Sequence, residues 1–256
     1  HINAHETGAL ESVGHKCLTL PTSNGKITAK QVDTLIQEHY SDASSEHTVQ
    51  PGIVYISFPT ESGTLYSKQE LTELYTVCQN HNIPLFIDGA RLGYGLVAKK
   101  NDVTFEDIAN LCDVCYIGGT KVGALFGECI VILNDLYKKD FRYAIKQHGG
   151  MLAKGRMLGI QFEELFKDNR YLTISKHAID MADILTEGFQ SKGYHFYFPA
   201  ETNQLFPIFE NAKLEELSKE FAFTPWAKID ETHTAVRFVT SFATKRENVE
   251  YLLTKI

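Results

Sequence analysis

Two side chains with complementary chemistry stand at the ends of two short apolar runs. Asp88 closes the run in IPLFIDGAR, and Lys121 follows the run in DVCYIGGTKVGALFG. Such runs are typical of buried strands in a parallel sheet. Ligands of open α/β sheets bind at the carboxyl edge of the strands. The pattern therefore predicts that Asp88 and Lys121 face one ligand-binding edge.

The surroundings of Lys121 favour the close approach of a flat ligand, because its neighbours are small: Gly118, Gly119, Gly123 and Ala124. A partly desolvated amine has a lowered pKa and can form a Schiff base. A carboxylate such as Asp88 can keep a pyridine nitrogen protonated, and the resulting electron sink is what pyridoxal phosphate chemistry requires. Strand-end aspartates and loop lysines also serve as helix caps and surface charges, so this pair alone leaves both interpretations open.

The elements that must position these residues alternate between strand and helix. Strand patterns cover 52–58, the run before Asp88, 114–117 and 128–133. Helices are predicted from the caps Thr28 and Ser67 to about residues 39 and 81, and a short helix is predicted near 104–111. We therefore predict an α/β fold, with a mainly parallel sheet and flanking helices.

The second half of the chain predicts a smaller α+β unit. Helical patterns cover 135–147, 153–167 and 172–191, and a helix is also predicted at the start of the chain, over 1–12. Strand patterns follow in YHFYFP, QLFPIF and VRFVTSF, with helices over 214–221 and from Lys245. We expect a large ligand-binding domain over 1–168 and a small C-terminal α+β domain over 169–256.

Charge and hydropathy exclude several classes of function. The net charge of −7 and the lack of a basic stripe argue against binding to nucleic acid. No apolar run is long enough to span a bilayer, and HINAHETGAL lacks the features of a signal peptide. We expect a cytoplasmic protein that acts on a small molecule.

The cysteines are typical of reduced, buried thiols. There are five of them, and most lie in apolar segments, which favours a cytoplasmic protein over a disulfide framework. Cys112 and Cys115 form a C-x-x-C pair without a second pair. Core packing is the favoured interpretation and a zinc or redox role the alternative, so no metal site is predicted.

Several motifs in order along the chain resemble the threonine aldolase family. They are HINAHETGA, FIDGARL, GGTKVGALFGE, HGGMLAKG and AVRFVTSF. The most specific features are D-G-A-R and the lysine that follows about thirty residues later. This family resembles the β-eliminating lyases, has the aspartate aminotransferase (type I) fold and uses pyridoxal phosphate. The resemblance implies a homodimer or homotetramer.

The resemblance also implies roles for individual residues. Lys121 would hold the cofactor as a Schiff base, with Thr120 beside it. Asp88 would pair with the pyridine nitrogen, and Arg91 would lie by the ring hydroxyl. Two further residues complete the expected site: the ring of His1 would stack on the cofactor and Arg237 would bind the substrate carboxylate.

Two departures from the family pattern bear on the site. Where relatives have Ser-Lys-Gly, this chain has Thr120-Lys121-Val122, which keeps the hydroxyl while valine restricts the loop. Where many members have a second histidine, this chain has Glu61. Its carboxylate could take the proton of the β-hydroxyl, and a capping or solvated loop glutamate is the alternative.

The resemblance further implies a segment ahead of the histidine in relatives, which includes a helix start that binds the cofactor phosphate. This chain begins at His1, so we interpret it as lacking that segment. The expected reaction is cleavage of threonine or allo-threonine to glycine and acetaldehyde. Other reactions on the same cofactor, β-elimination or transamination, and an inactive fragment remain alternatives.

Overall fold

A computed structural model describes residues 1–256. The helices are α1 Ala9–Ser12, α2 Ala29–Ser41, α3 Lys68–Asn80, α4 Leu92–Leu96, α5 Phe105–Asn110, α6 Phe141–Gln147, α7 Arg156–Phe166, α8 Arg170–Ser191, α9 Asn211–Leu217 and α10 Arg246–Lys255. The strands are β1 Val54–Ser57, β2 Leu85–Gly89, β3 Val114–Ile117, β4 Cys129–Ile132, β5 Gln204–Leu205, β6 Ile208–Glu210, β7 Thr224–Lys228 and β8 His233–Val239. None of the helices combines the length and apolar character needed to cross a membrane.

The larger sheet has the strand order β1-β2-β3-β4. The first three strands are parallel, and β4 runs antiparallel to β3. Their register places Ser57 beside Asp88 and Asp88 beside Tyr116. The expected α/β fold with a mainly parallel sheet is therefore confirmed, and the strand ends meet at one edge.

Local sequence determines where the helices around this sheet begin. The side chain of Thr28 accepts a hydrogen bond from the Gln31 N–H, and the Gln31 side chain accepts one from the Thr28 N–H. Ser67 and Thr104 form the same reciprocal capping box. Each box satisfies backbone donors that the first helical turn leaves without a partner. The three predicted helix starts are therefore confirmed.

The two faces of the sheet differ because side chains alternate along each strand. One face is apolar and buried, with Ile56, Leu85 and Ile87 packed in the core. The opposite face carries Asp88 and the aromatic rings of the three parallel strands. The apolar face anchors the sheet in the core. The polar side chains at the carboxyl ends of the strands are not needed for this packing and can form a site.

The smaller sheet is built around β8, which pairs antiparallel with β5, β6 and β7. It packs on the second half of α8 through Phe189 and neighbouring aromatic side chains. The first half of α8 belongs to a different cluster, which contains Tyr171 and the side chain of Val122. One helix thus packs in both clusters, and the proposed division at residue 168 stays a prediction.

Three local expectations were wrong, and one strand was missed. The helix expected over 135–147 is a 3₁₀ turn followed by α6, because Asp140 has a left-handed φ of 59°. YHFYFP contributes only one bridge, Phe196 to Pro207, instead of a strand. The helix expected over 1–12 is limited to α1. Strand β7 was not expected at all.

Candidate active site

A polar pocket opens at the carboxyl ends of β1, β2 and β3. Its lining residues are His1, Glu6, Ser57, Pro59, Glu61, Asp88, Ala90, Arg91, Tyr116 and Lys121. Five of the seven residues selected from the sequence are among them. Thr120 and Arg237 are the two that do not line the pocket. The expected convergence at the edge of the sheet is therefore present in the fold.

Asp88 is the most buried charged group of the pocket, with 8% of its surface exposed. Its Oδ2 accepts a hydrogen bond from the Tyr55 hydroxyl at 2.6 Å, and its Oδ1 accepts one from the Ala90 N–H at 2.9 Å. Burial, reinforced by the Asp88 carboxylate, raises the pKa of Tyr55 and that of Tyr116. Both phenols therefore keep their protons beside a fixed carboxylate.

Lys121 lies in a single 3₁₀ turn, Thr120–Val122, which ends where Gly123 adopts a left-handed φ of 103°. The side chain of Val122 is fully buried, so the valine in place of the family glycine fastens the turn to the core. The pKa of Lys121 is lowered mainly by partial desolvation and to a smaller extent by the positive charge of Arg91. A lowered pKa increases the fraction of neutral, nucleophilic amine.

Glu128 binds the residues that precede Lys121. Its carboxylate accepts hydrogen bonds from the Gly119 N–H and, at 2.8 Å, from the Thr120 hydroxyl. The Thr120 hydroxyl is thus directed to Glu128, and its expected contact with a cofactor stays a prediction. Because Glu128 is also close enough to raise the pKa of Lys121, it contributes both structure and charge to this turn.

Arg91, Glu61 and His1 complete the charged lining. Arg91 directly precedes α4, and burial lowers its pKa, with Glu61 opposing and Arg237 adding to that shift. Glu61 Oε1 accepts a hydrogen bond from the chain's terminal amine at 2.8 Å, and the His1 Nδ1 lies 2.9 Å from Glu6 Oε1. The expected stacking of His1 on a ring stays a prediction.

Arg237 lies on β8, the central strand of the smaller sheet. Its Cζ is 5.9 Å from the centroid of the Trp226 ring. Its Nε is buried and has no hydrogen-bond partner within the chain. Arg237 is also near enough to Arg91 to contribute to the lowering of the pKa of Arg91, so its partly unsatisfied guanidinium lies in the neighbourhood of a pocket residue.

The tyrosines around the site were not predicted from the sequence. Tyr55 and Tyr116 lie on the same sheet face as Asp88, and the alternation of side chains in β1 and β3 is the signal that could have identified them. Glu128 was also missed as a partner of the lysine turn. Its position seven residues after Lys121 carries no recognisable spacing signal, because a hairpin-like return of the chain brings them together.

The fold of the chain is shared with a solved structure of another protein. A double mutant of the Thermus thermophilus aspartate aminotransferase shares the fold, with a TM-score of 0.59, over 86% of this chain and 60% of that chain. At 16% identity this likeness concerns the fold alone. The protein therefore has an α/β fold like that of the type I pyridoxal phosphate enzymes.

The family follows from closer matches. A model described as β-eliminating lyase matches residues 1–212, and the chain belongs to that family, whose members depend on pyridoxal phosphate. It is 31% identical over 223 residues to a low specificity L-threonine aldolase of Pseudomonas sp. (strain NCIMB 10558), which covers 85% of this chain and 62% of that protein. The structure of Leishmania major threonine aldolase superimposes with a TM-score of 0.95 and 42% identity, covering 99% of this chain and 73% of that one. The chain thus spans about 62% of the length of the curated relative.

Proposed function

We propose that this protein is a pyridoxal-phosphate-dependent aldehyde-lyase that cleaves a β-hydroxy-α-amino acid. Threonine or allo-threonine would yield glycine and acetaldehyde. The proposal is supported by the named relatives, which are threonine aldolases. The observation that carries it is the convergence of Asp88, Arg91 and Lys121 on one pocket.

The residues present fit the ring and the aldehyde end of the cofactor. A carboxylate, a guanidinium and an amine with a lowered pKa line one opening. Asp88 would pair with the pyridine nitrogen, Arg91 would contact the ring hydroxyl, and Lys121 would attach to the aldehyde carbon. His1 and Thr120 would contribute at the ring face and beside the lysine. When bound, pyridoxal phosphate supplies an electron sink for the pair released from the Cα–Cβ bond.

The chain's own residues would bind the substrate and move its protons. Arg237 has an unsatisfied buried Nε, and a carboxylate would satisfy it while pairing with the planar guanidinium. Glu61 would accept the β-hydroxyl proton as the Cα–Cβ bond breaks and the carbonyl of the aldehyde forms. Tyr55 and Tyr116 would hold Asp88 in place, because their phenols stay protonated beside it.

The test is the product formed from threonine by the chain supplied with pyridoxal phosphate. We expect acetaldehyde and glycine in equal amounts, and we expect Lys121→Ala to abolish both. Lys30 is exposed and lies on α2, away from the pocket residues, so Lys30→Ala is the matched control and should retain activity. Pyruvate and ammonia from serine, without acetaldehyde from threonine, would replace the aldolase proposal by β-elimination.

We also propose that the protein assembles as a homodimer or homotetramer. Large apolar side chains are exposed in the segment after Lys121, namely Leu125 at 85%, Leu136 at 79% and Tyr143 at 71%. Exposed apolar surface of this kind is typical of protein interfaces. Light scattering of the purified chain tests this, and a mass of 28.9 kDa at all concentrations would contradict it.

A further inference from the structure

The turn that carries Lys121 rests on two buried tyrosines from two different helices. Tyr94 belongs to α4 and Tyr171 to the first turn of α8, and each is only 1% exposed. The Tyr94 hydroxyl donates a hydrogen bond to the backbone carbonyl of Lys121. The Tyr171 hydroxyl donates one to the carbonyl of Gly118 at 2.9 Å. The middle of the turn and the backbone just before it are therefore each held by a buried tyrosine side chain.

The Tyr171 hydroxyl has a second partner, which connects the turn to the Asp88 side of the pocket. It accepts a hydrogen bond from the Gly93 N–H at 3.2 Å. A side chain at Gly93 would place its Cβ 2.1 Å from the Ser175 Oγ, so α4 lies directly against α8. Since α4 begins directly after Arg91, one hydroxyl joins the lysine turn to the segment that follows β2.

These contacts matter because the turn has little intrinsic rigidity. Gly118, Gly119 and Gly123 leave its backbone conformationally free, and the Lys121 side chain is flexible. Neither tyrosine lines the pocket, so neither would touch a substrate. The two hydroxyl contacts instead determine where the lysine backbone lies relative to the groups that would hold the cofactor ring.

We propose that Tyr94 and Tyr171 are positioning residues that fix Lys121 with respect to Asp88 and Arg91. The proposal rests on the proposed function, because it assigns these tyrosines to the placement of the cofactor lysine. The two phenols act through the backbone, and they belong to the same buried cluster as Val122, whose side chain holds the turn from within.

The pKa of Lys121 reports its position, because it depends on the charges and the solvent around the amine. Partial desolvation and Arg91 lower its pKa, while Asp88, Glu128 and Glu61 raise it. Desolvation is the largest of these effects. When a hydroxyl is removed and the turn loosens, the amine becomes better solvated and its pKa rises towards the ordinary lysine value.

The experiment is competitive acylation of Lys121 with acetic anhydride as a function of pH, quantified by peptide mass spectrometry on the chain without cofactor. In Tyr94→Phe and Tyr171→Phe we expect the acylation rate of Lys121 near neutral pH to fall by roughly threefold or more, because a higher pKa reduces the neutral fraction of the amine. A loss of stability alone would not shift the pH profile of one lysine.

Tyr66→Phe is the matched control. Tyr66 is 2% exposed, and its hydroxyl accepts a hydrogen bond from the Ile27 N–H at 2.8 Å, in the core beneath the sheet. Its removal should leave the Lys121 profile unchanged. An unchanged profile in Tyr94→Phe, or an equal shift in Tyr66→Phe, would overturn the proposal, and Tyr94→Phe alone decides if Tyr171→Phe does not fold.

The acylation experiment is independent of the proposed reaction. If wild-type protein produced no acetaldehyde from threonine but the two variants still shifted the Lys121 profile, the lyase proposal would fail and the positioning role would stand. If acetaldehyde formed and the profile did not shift, the positioning role would fail and the lyase proposal would stand.

Discussion

Replacing Arg237 with methionine is expected to separate substrate binding from stability. The guanidinium lies on β8 with a buried Nε that has no partner within the chain. Methionine reaches about as far as the Nε of arginine and carries neither a charge nor a hydrogen-bond donor. The variant therefore removes both the charge that would bind a substrate carboxylate and the unsatisfied donor that weakens the folded state.

The magnitudes follow from these contacts. An unsatisfied buried donor costs about 1–3 kcal/mol, and a cation–π contact such as the one between Arg237 and Trp226 contributes about 0.5–1 kcal/mol. The folded chain should therefore gain roughly 0–2.5 kcal/mol on substitution. Two charge-assisted hydrogen bonds to a carboxylate are worth about 3–6 kcal/mol together. Their loss corresponds to a decrease of about 10²–10⁴ in kcat/KM.

The assay pairs urea unfolding with kcat/KM for acetaldehyde formation from threonine. Arg246→Met provides the control, because Arg246 is exposed and paired with Glu250 at 2.7 Å on α10. It should change neither quantity appreciably. Destabilisation of Arg237→Met by more than about 2 kcal/mol, together with an unchanged kcat/KM, would refute the assignment of this arginine.

Three further outcomes are expected. In Glu128→Gln the amide keeps an acceptor for the turn but removes a negative charge that raises the pKa of Lys121, so the pKa of Lys121 should fall. An unchanged pH profile of Lys121 acylation would contradict this prediction. Burial and the neighbouring Asp88 carboxylate raise the pKa of Tyr55 in the folded chain. The contribution of Tyr55 to stability is therefore complete below about pH 10, its pKa in the unfolded chain, and is lost as the pH rises above that value. Tyr55→Phe should make the alkaline fall in stability shallower, and equal slopes in urea titrations would contradict this. Thr28→Ala breaks the capping box with Gln31 and should lower the free energy of unfolding by about 0.5–2 kcal/mol, with no change in kcat/KM. A loss of activity at unchanged stability would be inconsistent with a purely structural cap.

Local signals in the sequence predicted the larger sheet more completely than the smaller one. The apolar run 114–117 coincides with β3, and the caps predicted at Thr28 and Ser67 mark helix starts. The antiparallel direction of β4 could not be predicted, because a short apolar run carries no direction. Strand β7 contains Pro225 next to a register irregularity and pairs only with β8. Its edge position explains the weak pattern.

The candidate site was predictable where it depends on strand ends and unpredictable where it depends on tertiary contacts. Asp88 and Lys121 could be placed at one edge from the alternation of strands and helices. Tyr171 lies fifty residues after the turn that it supports, in a helix whose apolar pattern indicates only a core position. Its hydroxyl acquires a role because Gly93 allows α4 to approach α8. No local pattern encodes such a contact.

The proposed function is tested most directly by identifying the lysine that holds the cofactor. The purified chain is incubated with pyridoxal phosphate, reduced with borohydride, digested and examined by peptide mass spectrometry. We expect a pyridoxyl adduct on the peptide that contains Lys121, together with a near-visible absorption band that is absent from Lys121→Ala. An unmodified Lys121, or an adduct that forms equally on other lysines and persists in Lys121→Ala, would contradict it.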